Sequence, residues 1–271
     1  MVISAAIEKR GIRIMKSSNR DAIQQAFTQQ AGGFESSQLN FTRQDYLDHI
    51  VSVITPLTND SVLEVAAGTC VCGRAIAPYA QNVVCLDMTP AMLSVGKAEA
   101  EKADLHNITF VLGDAAGMPF LESSFDLVIS RLAFHHFPDV RQVFAEMVRV
   151  LKPGGRLVLI DMEAAEPPLR PVQDEIETLR DPSHVKNLSM AEMQQLFADY
   201  ALQVVHQDVT SIQQHLTAWM ALTKTPQAVQ EEITMRMESE LHGGAKTGFA
   251  PYCVGKEICF DHRWVLLIGQ K

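Results

Sequence analysis

Missing from the sequence is any apolar run approaching the roughly 18 residues that a helix needs to cross a bilayer. Missing too is a leader of the secretory kind. The apolar opening Met1–Ile7 is followed by Glu8, Lys9 and Arg10 rather than preceded by basic residues, so no export is expected. Cysteine is sparse, five in 271 residues. Cys70 and Cys72 do not have the C-x-x-C spacing of redox or zinc pairs, and Cys85, Cys253 and Cys259 are scattered. The expectation is reduced, structural thiols in a cytoplasmic protein, with neither a disulfide framework nor a metal site. Basic charge is short: 23 Lys and Arg stand against 32 Asp and Glu, a net −9. A chain this acidic lacks the electrostatic footprint of a nucleic-acid binder.

What is present is an ordinary globular composition, 47% hydrophobic, enough for one large α/β core with appended helices. Short β-branched runs alternate with helix-length stretches: Val62–Val65, Val83–Asp87, Ile108–Leu112, Phe125–Ile129 and Arg156–Ile160. Such alternation predicts a Rossmann-like, doubly wound parallel sheet with ligands at the carboxyl ends of its strands. Helices are expected around Gly73–Tyr79, over Ala91–Ala103 and over Val140–Leu151. Thr89 suits the N-cap of the second and Pro90 its first position; Lys152-Pro-Gly-Gly155 ends the third. Two late strands, Gln203–Val209 and Trp264–Ile268, lie among helical stretches of about 171–200 and 211–242. Residues 1–50 are polar and Gln-rich, turning amphipathic from Phe41 to Leu57.

Three features fall at three successive strand ends. Glu64 leads into Val-Ala66-Ala67-Gly68-Thr-Cys70-Val-Cys-Gly73, a loop of small residues that opens a helix. Small side chains let the backbone approach a ligand, and a helix N-terminus offers free N–H groups. Asp87 lies roughly 20 residues further on, the separation at which a carboxylate grips ribose hydroxyls. Gly113-Asp114-Ala115 follows the third strand, with an Asp able to accept from an adenine amino group. Each feature alone is weak, since a strand-end Asp is commonly a helix cap and a small loop commonly a turn. Together they describe a site for an adenosine-containing cofactor. A nicotinamide site wants G-x-G-x-x-G for its pyrophosphate, whereas only Gly68 and Gly73 are present, at the wrong spacing. Glu64 would repel a pyrophosphate but suits a cationic sulfonium, which favours S-adenosylmethionine (AdoMet).

The series Val62-Leu-Glu…Gly68, Leu86-Asp87-Met88-Thr-Pro-Ala-Met-Leu93, Gly113-Asp114-Ala…Met118-Pro-Phe, Ser124-Phe-Asp-Leu-Val-Ile129 and Arg149-Val-Leu-Lys-Pro-Gly-Gly155 resembles the class I AdoMet-dependent methyltransferases. It is similar especially to the group that includes the ubiquinone/menaquinone-biosynthesis enzymes, over about residues 40–200. The resemblance implies a seven-stranded sheet with its last strand antiparallel. It also implies an N-terminal lid, 1–40, ahead of a catalytic domain, 41–271, with helical decorations at about 165–200 and 211–255. Glu64 and the Ala66–Gly68 backbone would then face the methionine end of the cofactor. Asp87 would hold the ribose and Met88 pack on the adenine (ordinary core packing being the alternative). Asp114 with Ala115, after Gly113, would take the adenine edge, and Arg131 would close the pocket from beneath. Where the family has three glycines this chain has Ala66, Gly68 and Cys70, and Cys70 is in a place to narrow the pocket.

Methyl transfer from a sulfonium is a direct displacement, so alignment supplies much of the acceleration. Where the acceptor must lose a proton, His135 and His136 are the candidate bases; at most one is expected to act, and packing or helix capping is the alternative. Phe27-Thr-Gln-Gln-Ala-Gly-Gly-Phe34-Glu-Ser-Ser37 resembles the family's lid, with Phe27 and Phe34 as cover. Arg180-Asp-Pro-Ser-His184 resembles a segment of small-molecule members, placing His184 in the acceptor pocket or in an exposed turn. Trp219, Met220, Met235 and Met237 are candidates for an apolar acceptor wall or for plain core. The expected activity is methylation of a small-molecule acceptor, without nucleic-acid or membrane-spanning partners; a homodimer is compatible with the sequence. The competing reading is a non-catalytic AdoMet- or S-adenosylhomocysteine (AdoHcy)-binding sensor or scaffold.

Overall fold

A computed structural model describes residues 17–35 and 40–271. The opening stretch Met1–Ile7 and the Ser36-Ser37 end of the expected lid lie outside the described residues. Among the described residues no helix is long and apolar enough to cross a membrane.

The five expected runs form β1 (Ser61–Val65), β2 (Asn82–Asp87), β3 (Ile108–Leu112), β4 (Phe125–Arg131) and β5 (Leu151–Met162). All pair in parallel, in the order β3-β2-β1-β4-β5. Beyond β5 lies β8 (Glu257–Gln270), antiparallel to it, and then β6 (Gln203–His215), antiparallel to β8. The seven-stranded Rossmann-like sheet with an antiparallel last strand is therefore what forms. A three-residue strand, β7 (Tyr252–Val254), adds a short hairpin to β8. Both faces are covered, as a parallel sheet requires. Successive residues Val62 and Leu63 are each fully buried, one in either of the two main cores.

Helices α1 (Ser17–Gln30) and α2 (Gln44–Ile54) precede the sheet. Crossovers are made by α3 (Val71–Ile76), α4 (Pro90–Lys102) and α5 (Val140–Val150). No helix lies between β3 and β4, where Gly117 and Pro119 interrupt the chain. Thr89 stands at the N-cap of α4 and Pro90 at its start, yet the Thr89 side chain makes no cap bond. The later helices are α6 (Arg170–Arg180), α7 (Met190–Asp199), α8 (Leu216–Leu222) and α9 (Gln227–Leu241). A satellite core seats α6, α8 and α9 on the outer end of β8 through Ile176, Trp219, Ile233, Met237 and Phe260.

Three departures from the sequence reading have local causes. Residues 211–215 continue β6 rather than opening a helix: Ile212 is buried between exposed Ser211 and Gln213, which is strand periodicity. Lys152–Gly155 does not form a free turn after α5. It opens β5 through an irregularity in register between Phe125 and Leu127, and a Cβ at Gly155 would stand 2.9 Å from Lys152 O and 3.0 Å from Asp126 O. The hairpin of β7 was unforeseen because three residues carry no readable period.

Candidate functional site

At the carboxyl ends of β1, β2 and β4 a cavity of about 1360 Å³, mouth included, runs from the small-residue loop to α6 and α8. Its floor is the turn after β1. Ala66, Gly68 and Cys70 all hold left-handed backbone, with φ of 52°, 54° and 62°, which explains why glycine suits these places. A Cβ on Gly68 would meet nothing within 4 Å, so the floor there is open ground. Cys70 does not narrow the cavity. Its side chain is fully buried beneath the loop, Sγ 3.7 Å from Gly68 O, and a Cβ on Gly96 of α4 would stand 3.2 Å from that sulfur.

Three carboxylates ring this end. Glu64 Oε2 accepts from Gly73 N at 2.7 Å; burial pushes its pKa up to about 7, against the pull of that N–H and of Arg131. Asp87 ties two loops together, accepting from Gly68 N at 2.8 Å and Thr89 N at 2.7 Å. Burial raises its pKa, with the two N–H groups opposing. Asp114 accepts from Ala116 N at 2.9 Å and pairs with Arg20 Nη2 of α1 at 3.1 Å. Gln24, one turn on, donates to Met88 O at 3.1 Å. Ala66, Ala67, Met88, Gly113, Ala115 and Arg131 complete the lining, the Arg131 guanidinium lying 5.3 Å from the centre of the Trp264 ring. A loop with a bare floor and several carboxylates fits a ligand with a positively charged sulfur and a ribose; it does not fit a pyrophosphate.

At the other end, Leu132 turns the chain after β4 with a left-handed φ of 53° and delivers the single helical turn Phe134–His136. Both histidines are buried and line the cavity. His135 Nδ1 lies 2.6 Å from Asp161 Oδ1 on β5. Asp161 also accepts from the backbone N–H of Phe134 at 2.6 Å and Met162 at 2.7 Å. Burial alone would lower the His135 pKa, but Asp161 outweighs it and the net shift is upward. His136 goes the other way: burial, then the neighbouring His135 ring 4.1 Å away, bring it down to about 3. Its Nδ1 lies 3.1 Å from Ser183 Oγ. Beyond them Glu177, fully buried, sits between Arg180 (3.2 Å) and His262 (3.3 Å), and the Arg180 guanidinium stacks 4.4 Å from the centre of Trp219.

Of the sequence candidates, the structure gathers Phe27, Phe34, Glu64, Ala66, Ala67, Gly68, Asp87, Met88, Gly113, Asp114, Ala115, Arg131, His135, His136 and Trp219 around this one cavity. His184 is neither in it nor exposed: its ring is buried and Nε2 is held by Asp174 Oδ1 at 3.1 Å. Met220 and Met237 are satellite core and Met235 is exposed, because α9 turns that face outward. Sequence reading missed Asp161, Arg180, Asp181, Ser183, His262 and Arg20. Asp161 carried a signal, a carboxylate closing an apolar strand as Asp87 does. Arg180, Asp181 and Ser183 sat in the very segment from which only His184 was chosen.

Both the sequence and the fold match known proteins. The family described as "Methyltransferase domain" matches residues 63–159. The methyltransferase YcgJ of Bacillus subtilis is 32% identical over 218 residues, 78% of this chain and 84% of that protein. Its crystal structure superposes with a TM-score of 0.76, covering 84% of this chain and 99% of the other. A demethylmenaquinone methyltransferase of Listeria welshimeri is 41% identical over 105 residues, 37% of this chain and 44% of that protein.

Proposed function

Because the chain belongs to the AdoMet-dependent methyltransferases, we propose that it methylates a small, uncharged, largely apolar molecule bound between its histidine pair and α8. The observation that carries this reading is the continuity of the cavity, from the carboxylate-ringed loop to His135, Trp219 and Leu222. At the far end Arg180 is paired with Glu177 and His135 with Asp161, while Asp181 is held by Ser183 and Gln30. Trp219, Leu222, Trp264 and Met162 offer apolar walls, which favour an uncharged acceptor.

The cofactor supplies an electrophilic methyl group on a sulfonium. Glu64 and the Ala66–Gly68 backbone hold its amino-acid end, Asp87 its ribose, and Asp114 with Ala115 its adenine. Gly68, lacking a side chain, lets the backbone reach it. Arg20 and Gln24 seat α1 on the Asp114 and Met88 side, so that Phe27 covers the site and excludes water. The acceptor's nucleophilic atom is aligned for in-line attack, which is most of what a direct displacement needs. Its proton goes to His135 Nε2. With Nδ1–H held by Asp161 the ring presents Nε2 as the lone-pair nitrogen, and the ionised carboxylate steadies the imidazolium. His136, with its low pKa, stays neutral beside it.

The test is calorimetric titration with AdoMet, AdoHcy and NADH, followed by transfer of labelled methyl from AdoMet to a panel of neutral and charged small acceptors. Binding of both adenosyl ligands but not NADH, with label passing to neutral acceptors, is expected. Binding without transfer to any acceptor would favour a sensor or scaffold; transfer only to charged acceptors would refute the proposed chemistry.

A further inference from the structure

One helix touches both ends of the site. The first half of α1 reaches the adenosine side through Arg20 on Asp114 (3.1 Å) and Gln24 on Met88 O (3.1 Å). Its second half reaches the acceptor side. Phe27 lies edge-on to the His136 ring, 5.0 Å between centres at 84°, and Gln30 Nε2 donates to Asp181 Oδ2 at 3.3 Å. Gln30 and Asp181 are both buried, 4% and 3% exposed, so this polar contact is shielded from water.

Asp181 holds Ser183 with its other oxygen. Oδ1 accepts from Ser183 N at 2.9 Å and from Ser183 Oγ at 2.6 Å. A serine hydroxyl has one proton, and the bond to an ionised carboxylate is the stronger of its two options. Having given that proton to Asp181, Ser183 Oγ can only accept from His136 Nδ1, 3.1 Å away. The His136 proton is thereby fixed on Nδ1 and the lone pair on Nε2, the nitrogen remote from Ser183.

We propose that Ser183, Asp181 and Gln30 are positioning residues that lock His136 in this tautomer. Its neutral Nε2 accepts a hydrogen bond from the acceptor and steers the acceptor's proton toward neighbouring His135. The acceptor is therefore a hydrogen-bond donor at the methylated atom or at a hydroxyl conjugated with it, which leaves out tertiary amines and thioethers. The inference rests on the methyl-transfer reading above and adds the donor requirement.

The experiment needs no acceptor. Protein with 15N-labelled histidine is followed by long-range 1H–15N NMR, with and without AdoHcy, in wild type, Gln30→Ala, Ser183→Ala and Ser183→Thr. In wild type, His136 is expected in the single Nδ1–H form both with and without AdoHcy. In Gln30→Ala and Ser183→Ala the tautomers mix, shifting their ratio about fivefold for the loss of one ordinary hydrogen bond; Ser183→Thr restores the single form. The remaining histidine signals report that the fold is intact in each variant. A His136 tautomer unchanged by Ser183→Ala overturns the proposal. Failure of wild type to bind AdoHcy would sink the methyl-transfer reading, whereas AdoHcy binding by a wild type whose His136 tautomers are mixed sinks this inference alone.

Discussion

Replacing Asp161 by Asn isolates what the buried carboxylate does for His135. Asn keeps the shape, but one of its two ends is now a donor. Asp161 accepts from His135 Nδ1 and from the backbone N–H groups of Phe134 and Met162, so the amide must oppose at least one of them. The charge is lost as well. His135 has a raised folded pKa, so its contribution to stability is fully present below the unfolded value, near 6.5, and fades as pH rises through the folded one. The gap between wild type and Asp161→Asn is therefore widest on the acid side of neutrality. Asp161 itself has a lowered folded pKa, so its contribution is full above the unfolded carboxylate value and fades at still lower pH. Breaking a buried ion pair from one side costs about 3–5 kcal/mol; at high pH a mispaired hydrogen bond of about 1–3 kcal/mol remains. Urea unfolding at pH 5.5, 7 and 9 reads this directly. A gap of about 3 kcal/mol at pH 5.5 that shrinks by half or more at pH 9 is expected. The acid limb of the methyl-transfer profile should move to lower pH, because the base has lost the anion that raised its pKa, and the plateau should fall about 10²–10⁴-fold. A stability gap that is flat with pH, or widest at pH 9, refutes the ionic pairing; an unmoved acid limb refutes His135 as the base.

Asp87→Ala removes both the proposed ribose partner and the clasp on Gly68 N, and should weaken AdoHcy binding by about 2–4 kcal/mol, read by calorimetry. Glu64→Gln removes a group whose pKa rises from its ordinary value of 4.5 to about 7 on folding. This raised pKa makes wild type lose stability as pH climbs through that window, so the variant should gain about 3 kcal/mol relative to wild type between pH 4 and pH 8 in urea melts. Gly96→Ala would bring a Cβ within 2.6 Å of Thr69 O and 2.9 Å of Thr69 C. Since both are backbone atoms, α4 and the loop must part, with a loss of about 1–3 kcal/mol in stability and a measurable rise in the AdoHcy Kd.

The parallel half of the sheet was legible because each strand is a short β-branched run followed by its own turn signal, and both cues survive without tertiary context. The carboxylate end of the cavity was legible for a related reason. Glu64, Asp87 and Asp114 lie at or just past the ends of successive strands, and the topology brings those ends to one edge. The histidine end is different. Asp161 reaches His135 from β5, Ser183 reaches His136 from the segment after α6, and Gln30 meets Asp181 from 151 residues away. These partnerships depend on how α1 and α6 pack on the sheet, and no local spacing records that. The misplaced His184 shows the same limit. The segment turns so that Ser183 meets the histidine pair while His184 faces Asp174.

The loop after β1 shows how the chain keeps a glycine-like shape with two residues that are not glycine. Left-handed backbone at Ala66 and Cys70 costs about 1–2 kcal/mol each, and something must hold it. Ala67 N bonds to Leu86 O at 3.0 Å and Cys70 N to Ala67 O at 2.7 Å, while Asp87 clasps Gly68 N. The Cys70 side chain then fills the space against Gly96, where glycine in its place would leave a void. The loop is thus bent by its neighbours on β2 and α4 rather than by its own conformational freedom. A loop held in this way keeps its shape without a ligand, so on the proposed reading the departure from glycine exchanges local flexibility for preorganisation.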